Sequence, residues 1–515
     1  MRFVVVDRFA TAHSTKNRPH VVLERNNWDD FGLRTLFDTT LYIPNQAPIS
    51  LGGVKVLKRG QTVGSTPVPP KFTELQSNFC SLGQDSDYYR KLEQVPPAIA
   101  AEYLAAIRDA ASNRTIRAAF ENEPGWRTSL LRFGEAENAL VVGADIAQGN
   151  RRPNGVASFR FNWIHHGGET PIDFAFDDSG PLPGRCNVLV GYNGVGKTSL
   201  LADLALAVSK VGLTKNETPI SALTGEDTTF GAVIAVSYSA FDTFKTPAHD
   251  TEGATSKFGY TYCGLRKLDK APPADDNYDT MKHAIAPPRY ELKSINEIDL
   301  EFTAALNEAN ATIASHTNLL SAFKVLSREP SFGRIGVDLN QLGQGSETVK
   351  ALESFGALST GHKIVLNIVT QLAAHLRPRS LVLIDEPETH LHPPLAAALL
   401  RSVQVLLEST DSFAVIATHS PVVVQEIPAK FVTVIERVGR ETSTQSSEIE
   451  TFGESIGTIT RFVFSMDSSA TDYQGVLSRL AAGYNIDQID RMFHPGISTQ
   501  ARALVLNYMH RDQRD

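Results

Sequence analysis

Along the first 65 positions apolar residues fall at strand spacing. The segments RFVVVD, HVVLE, RTLFDTTLYI and GVKVLKRG are rich in β-branched and apolar residues and are parted by turn clusters such as Asn26-Asn27 and Pro44-Asn45. A proline-dense break, TPVPPK, follows, and the pattern then turns helical. Ile99, Tyr103, Leu104 and Ile107 recur at three- and four-residue steps behind Pro96-Pro97, a pair suited to the first turn of a helix. Residues 144–158, ADIAQGNRRPNGVAS, read as a loop. Two strands are expected next, SFRFNWI and IDFAFDD, and a third, RCNVLV, runs into a glycine-rich turn and the helix SLLADLALAV.

The centre, 245–350, is less periodic. GATSKFGYTYCG and KAPPADDNYDT read as loops, whereas Phe302, Leu306, Ile313, Leu320 and Phe323 mark one helical stripe. At about three heptads the stripe is too short for a coiled-coil arm. Beyond it, IVLNIVTQLAAHL reads as a helix, SLVLID and AVIAT as buried strands, and SRLAAGYNIDQIDRMF as a helical tail.

Composition narrows the class. The 515 residues are 42% hydrophobic and 21% charged, which describes a globular chain of about three structural units. Cys80, Cys186 and Cys263 are far apart and lack CxxC spacing, against both a disulfide framework and a structural zinc site. No apolar run approaches the ~18 residues that cross a bilayer, and Asp7 interrupts the N-terminus where a signal peptide would be apolar. A cytoplasmic protein without a membrane partner is therefore expected. The net charge of -8 is unevenly spread: residues 1–160 hold 20 Lys+Arg against 16 Asp+Glu, and all the excess acid lies beyond them. Arg151, Arg152 and Arg160 form the best local basic cluster, a candidate contact for nucleic-acid phosphates that competes with a solvated loop.

Four motifs carry chemistry. The first is GYNGVGKT, a complete GxxxxGK[ST] between an apolar strand and a helix. Its glycines let consecutive backbone N–H groups converge on phosphates, and the helix start adds partial positive charge. Gly191, Asn193, Gly194, Val195, Gly196, Lys197, Thr198 and Ser199 are the expected nucleotide-binding set. Lys197 is expected to reach the β- and γ-phosphates and the Thr198 hydroxyl to bind Mg²⁺. The second motif is SLVLIDEPETHLHP, where an apolar strand ends in Asp385-Glu386. Asp385 would hold Mg²⁺, and Glu386 would act as general base toward the attacking water. The third is ALSTGHK, with Ser359 and Gly361 at a helix start 26 residues before Asp385, able to bind an anion. The fourth is AVIATHSP, whose strand ends in His419, placed to sense the γ-phosphate.

In order and spacing these four motifs resemble the P-loop, signature, acidic strand and switch histidine of ABC-type ATPase heads. ETHLHP and ATHSP resemble the soluble RecF/SMC/OLD branch, with the likeness strongest over 160–440. The long N-terminal segment, the lack of coiled-coil arms and LSTGHK further resemble ATPase subunits of bacterial anti-phage systems of the Septu type. The resemblance implies an α/β fold: a P-loop head with a mixed sheet, flanking helices and a helical signature subdomain, behind a β-rich plus helical N-terminal region. Its expected segments are 1–65 (β-rich), 66–150 (helical), 151–240 (first lobe), 241–375 (insertion and signature subdomain), 376–440 (second lobe) and 441–515 (C-terminal segment). It also implies ATP and Mg²⁺ as cofactors and a homodimer or higher homo-oligomer, in which Ser359 and Gly361 face the γ-phosphate held by Lys197, Thr198, Asp385, Glu386 and His419 of a second copy.

Two departures stand out. LSTGH places His362 where the family has Gln or Glu, and no Q-loop glutamine occurs at AVSYSAFD, leaving Ser239 or Asp242 as substitutes. Other chemistries fare worse. His165-His166 lack the later residues of an HNH nuclease and read as a hairpin turn. No HExxH occurs, and the only DxD-type spacing, Asp85 and Asp87, is far from the tail where a TOPRIM nuclease would need it. The expected output is thus ATP-dependent control of a separate effector, a nuclease in phage defence. A RecF-like DNA-repair protein and a transporter energy subunit stand as alternatives.

Overall fold

The computed structural model describes residues 1–7, 19–150, 154–210, 219–245, 256–257, 259–268, 290–335, 338–339, 342, 355–356, 358–463 and 472–511. Arg151 and Arg152 lie outside the described residues, as do KAPPADDNYDT and most of 340–354.

The N-terminal region is a six-stranded sheet: β1 (Arg2–Val6), β2 (His20–Arg25), β3 (Leu36–Tyr42), β4 (Ile49–Lys58) and β5 (Phe79–Gly83) in sequential order, with the short strand Lys71–Phe72 beside β1. β5 falls within the stretch expected to be helical. Its FCSLG is buried throughout and pairs antiparallel with β4, so burial on both faces removed the alternation by which a strand is read. Helices α1 (Ser86–Glu93), α2 (Pro97–Ala106), α3 (Arg114–Phe120) and α4 (Gly134–Gln148) accompany it, and all four contribute to one core with the strands. Pro97 opens α2 as the sequence predicts. Helix α4 continues through the first five residues of the expected loop and stops where Gly149, φ 71°, adopts the left-handed C-cap.

Next comes a long hairpin of β6 (Val156–His165) and β7 (Gly168–Asp177), turning at His166-Gly167. Ala157, Phe159, Phe161 and Trp163 point to the core while the residues between them point out. The main sheet follows: β8 (Cys186–Val190), β9 (Val233–Ser237), β10 (Tyr260–Gly264), β11 (Leu381–Asp385), β12 (Phe413–Thr418), β13 (Val432–Val438) and β14 (Glu441–Ser446). Together with the short strand Ser256–Lys257 its order is 256–257, β10, β9, β11, β12, β8, β13, β14. The six strands from β10 to β13 pair in parallel, and both outer strands run antiparallel to their neighbours. β10 corrects the loop expected at GATSKFGYTYCG: residues 260–264 are a buried strand.

Successive residues of β11 show how the sheet becomes the middle of three layers. Leu381 and Leu383 pack with the hairpin and with α5 (Lys197–Ser209). Val382 and Ile384 pack with α6 (Ile295–Ala309), α7 (Ile313–Leu326), α8 (Pro330–Arg334), α9 (Thr360–His375) and α10 (Pro393–Ser409). Burying each such aliphatic side chain contributes about 1.5–3 kcal/mol. The single stripe expected at 302–323 is two helices, since Thr312 caps a new one. Ile313, its first residue, is exposed, and Leu319 rather than Leu320 is buried. The tail expected as one helix is likewise two, Asp472–Gly483 and Ile486–Arg491, separated by an Asn485 capping box.

Candidate nucleotide site

Parallel strands of a sheet end together, so the residues after β8, β9, β11 and β12 meet at one end of it. There the P-loop follows β8, and α5 begins at Lys197 with Gly196 as its N-cap, φ 102°. A Cβ at Gly196 would lie 2.9 Å from Cη2 of the buried Trp163, so both conformation and space require glycine. Trp163 is itself fixed, donating from Nε1 to Asp203 Oδ2 on α5 at 2.8 Å. The side chain of Val195 is in the core, and Gly191 is buried behind the loop. Asn193, Gly194, Gly196, Lys197, Thr198 and Ser199 face a cleft of about 450 Å³.

Lys197 donates to the main-chain oxygens of Gly191 (2.8 Å) and Tyr192 (3.3 Å). Burial lowers its pKa, opposed by the charges of Glu386, Asp385 and Glu388. The Thr198 hydroxyl donates to Asp385, 2.9 Å from Oδ2. Burial pushes the Asp385 carboxyl up to about 7, helped by the negative charges of Glu386 and Asp242 and opposed by the Thr198 hydrogen bond. A hydroxyl and a carboxylate in contact, crowded by further acid and opposed in part by the Lys197 ammonium, form a hard-oxygen set that fits Mg²⁺.

Glu386 adopts φ 48°, a left-handed conformation that a glutamate pays for with strain, while its N–H donates to Ala417 O of β12 at 2.8 Å. The turn sends its carboxylate to the cleft, where Oε1 lies 3.3 Å from Nδ1 of His419. Glu388 fixes the histidine's turn from below, its Oε1 accepting from Thr418 Oγ1 (2.6 Å) and from the His419 N–H (3.1 Å).

Ser359 and Gly361 are not among the residues lining this cleft. Ser359 is the exposed N-cap of α9, and Gly361 abuts the main-chain oxygen of His390 in the turn after β11. His362 is turned inward and 8% exposed, which removes it from direct nucleotide contact in this structure. Of the two glutamine substitutes, Asp242 is committed elsewhere: its fully buried carboxylate accepts from Tyr262 OH (2.7 Å) and from Arg266 (2.9 Å). Ser239 accepts from the Phe241 N–H at 3.2 Å in a local turn.

Sequence reasoning missed three contributors. His165 and His166 do form a hairpin turn, but the ten-residue length of β6 carries that turn onto the P-loop, and both histidines line the cleft. The His165 ring stacks on Trp163 with centroids 4.4 Å apart, and burial, then the charge of His166, lowers its pKa. Arg437 of β13 lines the opposite rim and donates to Gly194 O at 3.4 Å. The signal for the hairpin was strand length; for Arg437 there was none, since its strand neighbours β8 only in space.

Fold and site together define an α/β head in which a P-loop, two acidic residues and a histidine gather at one end of a mostly parallel sheet. A family model described as "AAA domain, putative AbiEii toxin, Type IV TA system" matches residues 270–425, a span that takes in Ser359 to His362, β11 and His419. Over nearly its whole length the chain is similar to Protein ea59 of Escherichia phage lambda, 28% identical over 528 residues and covering 95% of each chain. Among solved structures it is similar to an SMC head domain from Thermotoga maritima (12% identity, TM-score 0.28, 57% of this chain and 100% of that one). It is also similar to UvrA2 from Deinococcus radiodurans (17% identity, TM-score 0.27, 58% and 38%). TM-scores this low carry no weight for function. Among the described residues no helix is long and apolar enough to cross a membrane.

Proposed function

We propose that the chain binds ATP with Mg²⁺ in this cleft, hydrolyses it, and uses the cycle to bring two copies of itself together and release them. The observation that carries the reading is the joining of Thr198 to Asp385 beside the Glu386–His419 pair, at the mouth of the P-loop. The P-loop amides and Lys197 hold the phosphates, and His165, His166 and Arg437 flank the nucleotide. Thr198 and Asp385 would hold Mg²⁺, which supplies charge neutralisation to the β- and γ-phosphates. Glu386 takes a proton from water as the water oxygen bonds to the γ-phosphorus and the bond to the ADP oxygen breaks. His419 orients that carboxylate and contacts the γ-phosphate.

One head is incomplete in this reading. Ser359, exposed, and Gly361, half-buried, stand at a helix start away from their own cleft and serve that of a second copy, as the motif order implies. The downstream output is control of a separate effector, a nuclease in phage defence; the near full-length phage relative supports a setting in phage–host conflict. The test is to measure ATP turnover and ATP-driven association by sedimentation velocity for the wild type and Glu386→Gln. Turnover by the wild type and trapped dimers of Glu386→Gln are expected. Wild-type turnover by Glu386→Gln would refute the assignment of the base, and monomers at saturating ATP would refute the shared site. Native co-purification that yields no second protein would remove the effector.

A further inference from the structure

The residue by which the signature turn departs from its family is also the most heavily bonded one in it. His362 Nδ1 lies 2.6 Å from Ser359 Oγ, and its Nε2 lies 2.8 Å from Ser331 Oγ at the start of α8. Ser331 in turn bonds through Oγ, and through its N–H at 2.8 Å, to the same carboxylate oxygen of Glu329. The result is a continuous chain from Glu329 through Ser331 and His362 to Ser359, in which His362 is buried, Glu329 and Ser331 are half-buried and Ser359 is exposed. Ser359 makes no side-chain cap to its own helix, since its hydroxyl is engaged by the ring.

Counting hydrogens along the chain fixes its polarity. A carboxylate only accepts, so the single hydroxyl hydrogen of Ser331 goes to Glu329, and Ser331 Oγ must accept from Nε2–H. A neutral imidazole has one N–H, so Nδ1 carries a lone pair and takes the Ser359 hydroxyl hydrogen. Ser359 then presents only lone pairs outward, the wrong polarity for a phosphate oxygen. If the ring gains a proton, Nδ1–H donates to Ser359 Oγ and the hydroxyl hydrogen is released to donate outward. We propose that His362 is a proton-linked positioning residue, which decides whether Ser359 offers a donor to the γ-phosphate held by a second copy, so that nucleotide-driven association takes up a proton. This rests on the shared-site reading above.

The surroundings favour such a switch. Burial lowers the pKa of the ring, and the pull that opposes it is the charge of Glu329. The Phe332 ring meets His362 edge-on at 4.7 Å. On α9 itself Lys363 is paired with Asp299 of α6, and the turn after β11 brings the main-chain oxygen of His390 to Gly361. The free ring is therefore neutral near pH 7, and an approaching γ-phosphate favours its cation. By linkage, a dimer that closes two such sites binds two more protons, so its association weakens by up to about a hundredfold per pH unit as pH rises from the pKa of the free ring to that of the engaged ring.

The experiment uses the full chain in the Glu386→Gln background with saturating ATP and Mg²⁺, and reads the dimer dissociation constant by sedimentation from about pH 6 to about pH 8. His362→Asn replaces the ring by an amide that donates without titrating and is expected to have a shallower slope than its parent, any slope due to the nucleotide's own titration being common to both. Ser331→Ala frees the neutral ring to carry its hydrogen on Nδ1 and is expected to tighten association at the alkaline end. Nucleotide affinity of the dilute monomer should be unchanged in both. Slopes equal in His362→Asn and its parent would overturn the proposal, as would Ser331→Ala associating no better than its parent at high pH. Failure of the Glu386→Gln parent to associate at any pH would instead strike the shared-site reading itself.

Discussion

Glu386 combines a catalytic assignment with a conformation that a glutamate disfavours, and the two can be separated by substitution. At φ 48° a side chain with a Cβ costs about 1–2 kcal/mol over the ordinary helical region, whereas glycine adopts it freely. Glycine loses more backbone entropy on folding, which returns about 0.5–1 kcal/mol of that gain. Glu386→Gly is therefore expected to be more stable than Glu386→Gln by about 1 kcal/mol, because glutamine keeps the strain and loses only the charge. Both variants remove the negative neighbour that raises the Asp385 pKa, so electrostatic relief is common to them and cancels in the comparison. In turnover the pair should coincide: loss of a general base costs about 10²–10⁴-fold. The assays are thermal unfolding without nucleotide and phosphate release with excess ATP. If Glu386→Gly unfolds below Glu386→Gln, the turn is not strained; if either turns over at the wild-type rate, the base lies elsewhere.

Lys197→Ala should abolish ATP binding in a fluorescent-nucleotide titration while leaving the unfolding temperature close to wild type, since its ammonium bonds only to the loop's own main-chain oxygens. Mixing Ser359→Ala with Lys197→Ala should leave at most one complete site per mixed dimer, and full wild-type turnover in the mixture would exclude action across protomers. In the N-terminal core, burial pushes the Asp109 carboxyl up to about 6 despite hydrogen bonds from Tyr89 and Ser112. A folded pKa above the unfolded one of about 3.9 means that the carboxylate costs stability at high pH and that this cost fades as pH falls. Asp109→Asn should thus melt above the wild type near pH 8, and the gap should narrow as pH falls below about 6 and close only below about pH 4; a gap independent of pH would refute this.

What was legible in the sequence followed from local rules. The P-loop could be read because glycine, lysine and threonine must sit at fixed chain spacing, and β11 because an apolar run ending in two acids has few other meanings. Missed features depend on partners distant in the chain. β5 and β10 are short and buried on both faces, so they show no period until their neighbours are known. Arg437 and the hairpin histidines reach the cleft through sheet order and strand length. His362 was visible as a departure, but its meaning depends on Ser331, 31 positions away on another helix.

The placement of strain gives an independent reason to put function at the P-loop end of the sheet. Left-handed non-glycine residues occur at both ends of the central strands. At the far end Arg379 (φ 60°) and Asp411 (φ 50°) are joined to each other at 3.5 Å, Arg379 to Asp227 at 3.0 Å, and Asp411 to Arg185, which also holds Asp178 at 2.7 Å. These ion pairs tie the starts of β8, β11 and β12 together and offset the strain locally. At the P-loop end His166, Glu386 and His390 carry equivalent strain, yet His166 and Glu386 face an open cleft. Glu386 and its neighbours Asp385 and Glu388 bring like charge together there, where the far end brings opposite charge together. Lys197 opposes that charge in part, and a polyphosphate with its cation would add further positive charge and further contacts where the strained Glu386 and His166 meet the cleft.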